Sequence, residues 1–179
     1  MNAVSWARVL AFSSLAVAAA VIQIGKAKAA GDPLVDRVRA ANERFKDVAV
    51  TTAEGYVPSG CVSSLDGGAM GVRYVNAAYF KDQQVDIKRP QAVLYEPLPD
   101  GKLTLVGVQY MTFSGPASLE GQSFGFVGVP NPYDLPAFYE LPVWAWKANP
   151  LGAFAEMNSS VSCEHASGPG AGPVLFDLD

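Results

Sequence analysis

Between Val9 and Gly25 the chain has no charged residue and is mostly apolar, a run of about 17 residues at the lower limit of a bilayer span. Arg8 precedes it. Lys26-Ala27-Lys28-Ala29-Ala30 follows it, with small residues at Ala27 and Ala29. A basic head, an apolar segment and an A-x-A exit are the parts of an export signal. Cleavage is expected after Ala29, so residues 1–29 are read as a signal peptide outside the fold. The alternative is an uncleaved membrane anchor, against which the small residues at the exit argue. No Cys follows the cleavage position, which argues against a lipid anchor. Every later apolar stretch is interrupted by Asp, Lys, Pro or Gly, so no stable membrane insertion is expected after cleavage. The mature product is expected to be soluble and periplasmic or secreted.

Export sets the chemistry of the two cysteines, Cys61 and Cys163. In an oxidising compartment an even count reads as a disulfide. The alternative is two buried thiols. Zinc sites use closely spaced cysteine pairs, which this spacing does not resemble. Cleavage leaves 150 of the 179 residues, enough for one core. The signal holds three basic residues and no acid, so a formal net charge of −4 becomes −7 in the mature chain. Such a surface repels phosphate backbones, and no nucleic-acid partner is expected.

Asp32-Pro33 is a strong helix start. Leu34, Val38, Ala41, Phe45 and Val48 follow as one apolar stripe, and Gly55 is a stop. A helix over 33–54 is expected, with a break near Asp47. Residues 56–61 read as irregular, and residues 67–71 as a glycine-rich turn into a strand at 72–76. That turn lacks the G-x-x-x-x-G-K-S/T pattern of a phosphate loop. Residues 92–96 and 102–113 flank Asp100-Gly101 and predict a hairpin. Residues 115–136 read as a long Gly/Pro-rich excursion. A strand is expected over 139–147 with Trp144 and Trp146 on one face, then a short helix from Pro150 to Glu156, capped by Asn149. Residues 158–163 read as a short extended piece. The expected architecture is α+β, an N-terminal amphipathic helix packed on a small antiparallel β-sheet. The single domain is placed at 30–166, with a flexible C-terminal tail at 167–179.

Two segments resemble a family of uncharacterised exported bacterial proteins. The family motifs are approximately G-M-G-I/V-H-Y-V-N and L-H-x-W-x-W-x-x-N-P-x-G-x-F, the latter followed by N-P-x-V-S-C. Here they read Ala69-Met70-Gly71-Val72-Arg73-Tyr74-Val75-Asn76 and Leu141-Pro142-Val143-Trp144-Ala145-Trp146-Lys147-Ala148-Asn149-Pro150-Leu151-Gly152-Ala153-Phe154, and the ending is Asn158-Ser159-Ser160-Val161-Ser162-Cys163. Val106-Gly107-Val108-Gln109-Tyr110 is similar to the family's V-G-V-E-Y. The resemblance spans most of residues 40–163 and implies no established activity. This chain departs from it at three places: Arg73 and Pro142 stand for His, and Gln109 for Glu. A His–Glu–His set on neighbouring strands is a reasonable divalent-metal site in relatives. This chain lacks all three ligands, so no metal and no cofactor is expected. Arg73 instead offers a fixed cation for an anionic group, or simply pairs with an Asp or Glu.

The inventory narrows the chemistry further. The sole histidine, His165, lies beside the expected tail, which disfavours Ser–His–Asp and Cys–His mechanisms and a His-based metal site. Glu96, Glu120, Asp134 and Glu140 remain candidate acid–base carboxylates, with no spacing to favour a pair. Aromatics on strands are core more often than pocket, yet Tyr74, Tyr95, Tyr110, Tyr139, Trp144 and Trp146 are potential pocket walls. The expectation is a non-catalytic domain that binds a small ligand or a partner protein through Arg73, Gln109, Tyr74, Tyr110 and Trp144. An enzyme with unidentified machinery, metal-dependent in its relatives, and a structural or envelope-associated protein are the alternatives.

Overall fold

A computed structural model of the protein describes residues 32–64, 68–131, 133 and 135–167. The expected signal segment 1–29 and all of the expected tail 167–179 except Ser167 lie outside them. Pro33–Asn42 is helix α1, capped by Asp32, whose carboxylate accepts the Leu34 N–H at 2.8 Å. The expected long helix is broken into three parts. Asn42 leaves helical geometry at φ −123°, and Glu43–Lys46 is a 3₁₀ turn. Helix α2, Val48–Ala53, then restarts under its own cap, Asp47. The cause is Asn42 itself. It is fully buried, and its side-chain amide donates to Val38 O and Ile87 O, both at 2.9 Å. The break keeps the stripe turned inward, because Leu34, Val35, Val38 and Phe45 all stay buried in one cluster.

The strands that follow are β1 Val57–Ser63, β2 Ala69–Val75, β3 Ala92–Pro97 and β4 Leu103–Thr112. Between β2 and β3 a short helix α3, Ala77–Lys81, is capped by Asn76. A two-stranded hairpin, β5 Ser118–Leu119 and β6 Gln122–Ser123, leads to β7 Gly125–Val127 and β8 Phe138–Val143. The main sheet has six strands in the order β1-β2-β3-β4-β8-β7, every neighbour antiparallel. The fold is thus mixed α+β with an antiparallel sheet. Among the described residues no helix is long and apolar enough to cross a membrane.

Four expectations need correction. Residues 57–63 form an edge strand whose register slips between Pro58 and Cys61, so the turn-prone residues sit in an irregularity of a ladder. The excursion at 115–136 contains three short strands. The strand at 139–147 ends at Val143, where a tight turn (Ala145 N–H to Val143 O, 3.0 Å) separates the two tryptophans. Trp144 packs with Leu94, Val106 and Val161, whereas Trp146 packs against the helix-side cluster. Residues 150–156 are not a helix. Asn149 builds a turn by accepting the Leu151 N–H, and Gly152 at φ +115° leaves the helical region.

Both faces of the central strands are covered. Val93, Tyr95, Val108, Tyr110, Leu141 and Val143 face the helical segment. Ala92, Met111 and Phe138 meet Phe80, Tyr133 and Leu135 on the other face. Gly71 shows how tight the ladder is: it sits at φ +85°, and a Cβ there would lie 2.2 Å from the Tyr95 carbonyl oxygen.

Cys61 on β1 is bonded to Cys163 near the end of the described chain, across a sequence separation of 102. The bond ties a sheet edge to a segment that has only one isolated bridge, Ala69 with Asn158. Closing a loop of this length contributes about 4.7 kcal/mol in the chain-entropy model. Replacing both cysteines with Ser is therefore expected to lower the urea-unfolding free energy by about that amount. A loss below about 1 kcal/mol would show that the strapped segment is held by other contacts.

Candidate functional site

On β2, Arg73 pairs with Leu94, which pairs with Gly107. On β4, Gln109 pairs with Ala92 on one side and with Pro142 on the other. Side chains alternate across a strand, so Arg73, Gln109, Met111, Glu140 and Pro142 share the sheet face away from α1. The three positions at which this chain departs from the family motifs therefore lie on one sheet face; Gln109 and Pro142 are cross-strand partners, and Arg73 stands on the far side of β3 from them. Tyr74 and Tyr110 are not with them. Tyr74 stacks edge-on against Tyr95 on the helical face, and Tyr110 donates its hydroxyl to Ile87 O at 2.7 Å there.

The shared face holds an unusual set of charges. Arg73 is 1% exposed, yet no carboxylate lies within ion-pair distance of it among the described residues. The simple alternative of an Asp or Glu partner is absent there. The guanidinium lies 4.3 Å from the centre of the Tyr133 ring, and Nη2 points at Met111 Sδ at 3.5 Å. Its Nε has no hydrogen-bond partner. Burial lowers the proton affinity of Arg73, opposed by Tyr133 and Glu140. Gln109 is fully buried. Its Nε2 donates to Glu140 Oε2, and its Oε1 has no partner. Such orphan groups are rare in native interiors and call for a reason.

Glu140 is the one buried carboxylate among the described residues, at 5% exposure. Its pKa is pushed up to about 7, first by burial and then by repulsion from Glu156, while Arg73 and the Gln109 amide act the other way. The other carboxylate candidates have surface partners or none described. Glu96 pairs with Lys147, Glu120 with Arg37, and Asp134 lies outside the described residues. His165 is exposed. Among the described residues no group of three or more His, Cys, Asp or Glu is placed to hold a metal ion.

Glu140 connects this cluster to a cleft of about 210 Å³. The cleft exists because β7 covers β8 only over Phe138–Glu140, leaving Leu141 onward as an open edge. Pro142 suits such an edge, having no N–H to donate. Glu140, Pro142, Phe126, Phe154 and Glu156 are in its wall. Trp144 acts from behind. Its N–H donates to Ala153 O at 2.9 Å and its indole N–H to Ala155 O at 2.7 Å, which anchors the loop carrying Phe154 and Glu156. Sequence reasoning gave Glu140 no special place among the acids and missed Glu156 and Phe154. Their only sequence signal is proximity to Pro142 and to the Trp144 motif. A larger hollow of about 370 Å³ beside Lys46 and Trp146 has no buried charge in its wall.

These observations define a disulfide-bonded α+β domain with a partly unpaired polar cluster behind a surface cleft. Compared with protein-family models, with curated proteins and with solved structures, the chain matches none.

The sign of the Glu140 effect is testable. The folded state holds its proton up to about pH 7, whereas the unfolded carboxyl releases it near 4.5. Stability therefore falls as pH rises between these values, and the loss is complete above the folded pKa. Its size is on the order of 3 kcal/mol. Glu140→Gln is expected to remove this dependence: equal to the native chain near pH 4 in urea unfolding and more stable at pH 8. Parallel stability profiles for the two proteins across that range would refute the assignment.

Proposed function

We propose that this chain is an exported domain that binds a small polar ligand in the cleft at the open edge of β8, and that it acts by binding. Export by the N-terminal signal, to the periplasm or beyond, accords with the disulfide. In this reading a helix-covered antiparallel sheet is the scaffold. Glu140 is the group that meets the ligand, Gln109 holds it, and Arg73 sets its charge. The observation that carries the reading is the Arg73–Gln109–Glu140 cluster. A fold that needed only a core would fill these positions with apolar side chains, which are often as stable or more so. Proteins retain such costly groups where function requires them.

The resemblance to exported bacterial proteins adds a second line of support. The three positions that read His, Glu and His in the relatives share one sheet face here, and two of them are direct cross-strand partners. A metal site in that family would need the β2 side chain to reach across β3 to the pair on β4 and β8. The enzyme reading has one observation in its favour: a carboxyl poised near pH 7 is suited to proton transfer. No second buried acid stands beside it among the described residues, and the hydroxyl in the same wall, that of Ser123, is on an exposed residue with no base shown against it. The binding reading is therefore preferred to it, and to a purely structural role.

Arg73→Met tests the proposal, because it keeps volume and removes charge. The variant is expected to unfold within about 1 kcal/mol of the native chain in urea. In a thermal-shift screen of small acids, amines and sugars, the set of stabilising compounds is expected to change on the variant, with acids losing their effect and amines keeping or gaining theirs. A loss of more than about 3 kcal/mol, with no compound shifting the native melt, would make Arg73 a structural residue and end the binding proposal.

A further inference from the structure

The charges around the cleft point to a class of ligand, an inference that rests on the binding reading above. Glu140 and Glu156 both lie in the cleft wall, and the wall has no basic residue. Glu140 is nine-tenths buried. It accepts one hydrogen bond, from Gln109 at Oε2, and Oε1 accepts none from the described residues. Glu156 has no ion pair among the described residues. Two carboxylates in one wall, one of them desolvated, repel each other unless one holds a proton or a positive charge stands between them. The other charged and titratable groups facing Glu140 are Arg73 and Tyr133. Burial pushes the Tyr133 phenol up to about 12, so it is neutral. One guanidinium then stands against two carboxylates, and the cluster lacks one positive charge when both acids are ionised.

The remaining wall says what kind of cation. Phe126 and Phe154 are also in the wall, and an aromatic ring that faces an organic cation attracts it through its negative face. Gln122 and Ser123 add side chains able to accept a hydrogen bond from an ammonium. At about 210 Å³ the cavity is below the usual range for drug-sized ligands, so the guest is small. We propose that the cleft binds a small protonated amine, its ammonium between Glu140 and Glu156 and its alkyl part against Phe126 and Phe154. Arg73 makes the site selective for a single charge, because a second positive charge would be left uncompensated. An ammonium there stabilises the ionised form of Glu140, so binding at pH 7 drives a proton off this carboxyl.

Titration calorimetry with n-butylammonium, n-butanol and butyrate on the full chain tests this. Butylammonium is expected to bind, with the isosteric alcohol and the anion at least tenfold weaker. Glu156→Gln, an exposed position that leaves the fold intact, is expected to weaken butylammonium at least tenfold. Affinity is expected to drop about tenfold or more from pH 8 to pH 5.5 as Glu140 takes up its proton. Runs at pH 7 in buffers of different ionisation heat are expected to show release of about half a proton. Several results would overturn the amine assignment. These are butanol or butyrate binding as tightly as butylammonium, a Glu156→Gln variant with undiminished affinity, and calcium displacing the amine at lower concentration. If an acid or sugar binds in an Arg73-dependent way while butylammonium does not, the amine class falls and the binding reading stands. If neither this series nor the wider screen yields a ligand, both fall.

Discussion

Strand β4 lies in the middle of the sheet with both faces covered, and Leu105 through Thr112 are all buried. Everything else in the molecule answers to that constraint. A strand closed on both sides has no water to offer a polar side chain, so each polar group on it must find a protein partner. Most do. Thr112 donates to Gln83 Oε1, the Met111 N–H is taken by Gln91 Oε1 at 2.9 Å, and the Tyr110 hydroxyl reaches Ile87 O. Long polar side chains from the α3 region thus reach over to satisfy β4. Gln109 is the exception, with an acceptor left idle.

That exception gives the second face its character. The helical face is a conventional core, in which tyrosines bury their rings and discharge their hydroxyls on backbone carbonyls or on Thr51. The opposite face has a guanidinium and a carboxylate that do not touch: the first rests against a thioether and the Tyr133 ring, and the second accepts a hydrogen bond from a glutamine. Low dielectric lets such charges feel one another without contact. It also lets Glu156, on a loop outside the sheet, act on Glu140. The state of this carboxyl is therefore set jointly by a sheet residue and a loop residue. A surface cleft coupled to a buried charge balance is the arrangement on which the functional reading depends.

The sequence was informative wherever one local rule acted alone. The Asp32-Pro33 start, the Asp100-Gly101 turn and the hairpin around it were legible because capping and turn chemistry are decided within a few residues. The cysteine pairing followed from an even count and the expected oxidising compartment. What failed depended on distant partners. Asn42 reads as an ordinary helix residue until Ile87 is seen beside it. Asn149-Pro150 has the signature of a helix start, but Asn149 also donates to Met157 O, and this favours a turn. At the site, Arg73, Gln109 and Pro142 stood out against the family motifs. Their neighbour Glu140 did not, because nothing local marks one acid in a strand as desolvated. Which face a residue occupies follows from register, and β8 acquires its register from β4, some thirty positions earlier in the chain.

The strap from Cys61 to Cys163 reaches further than the sheet edge it fastens. The stretch from Trp144 to Cys163 has no strand of its own. It is held by the two Trp144 donations, by buried Asn158 reaching Lys147 O and Ala148 O, and by the single bridge to Ala69. Phe154 and Glu156, two of the ten residues in the cleft wall, ride on this stretch. Their placement is thus fixed at one end by tryptophan and at the other by sulfur. Cutting the sulfur tether would give the wall new conformational freedom without touching any residue that lines the hollow. A cavity shaped this way keeps its form only where the redox poise keeps its fastening closed.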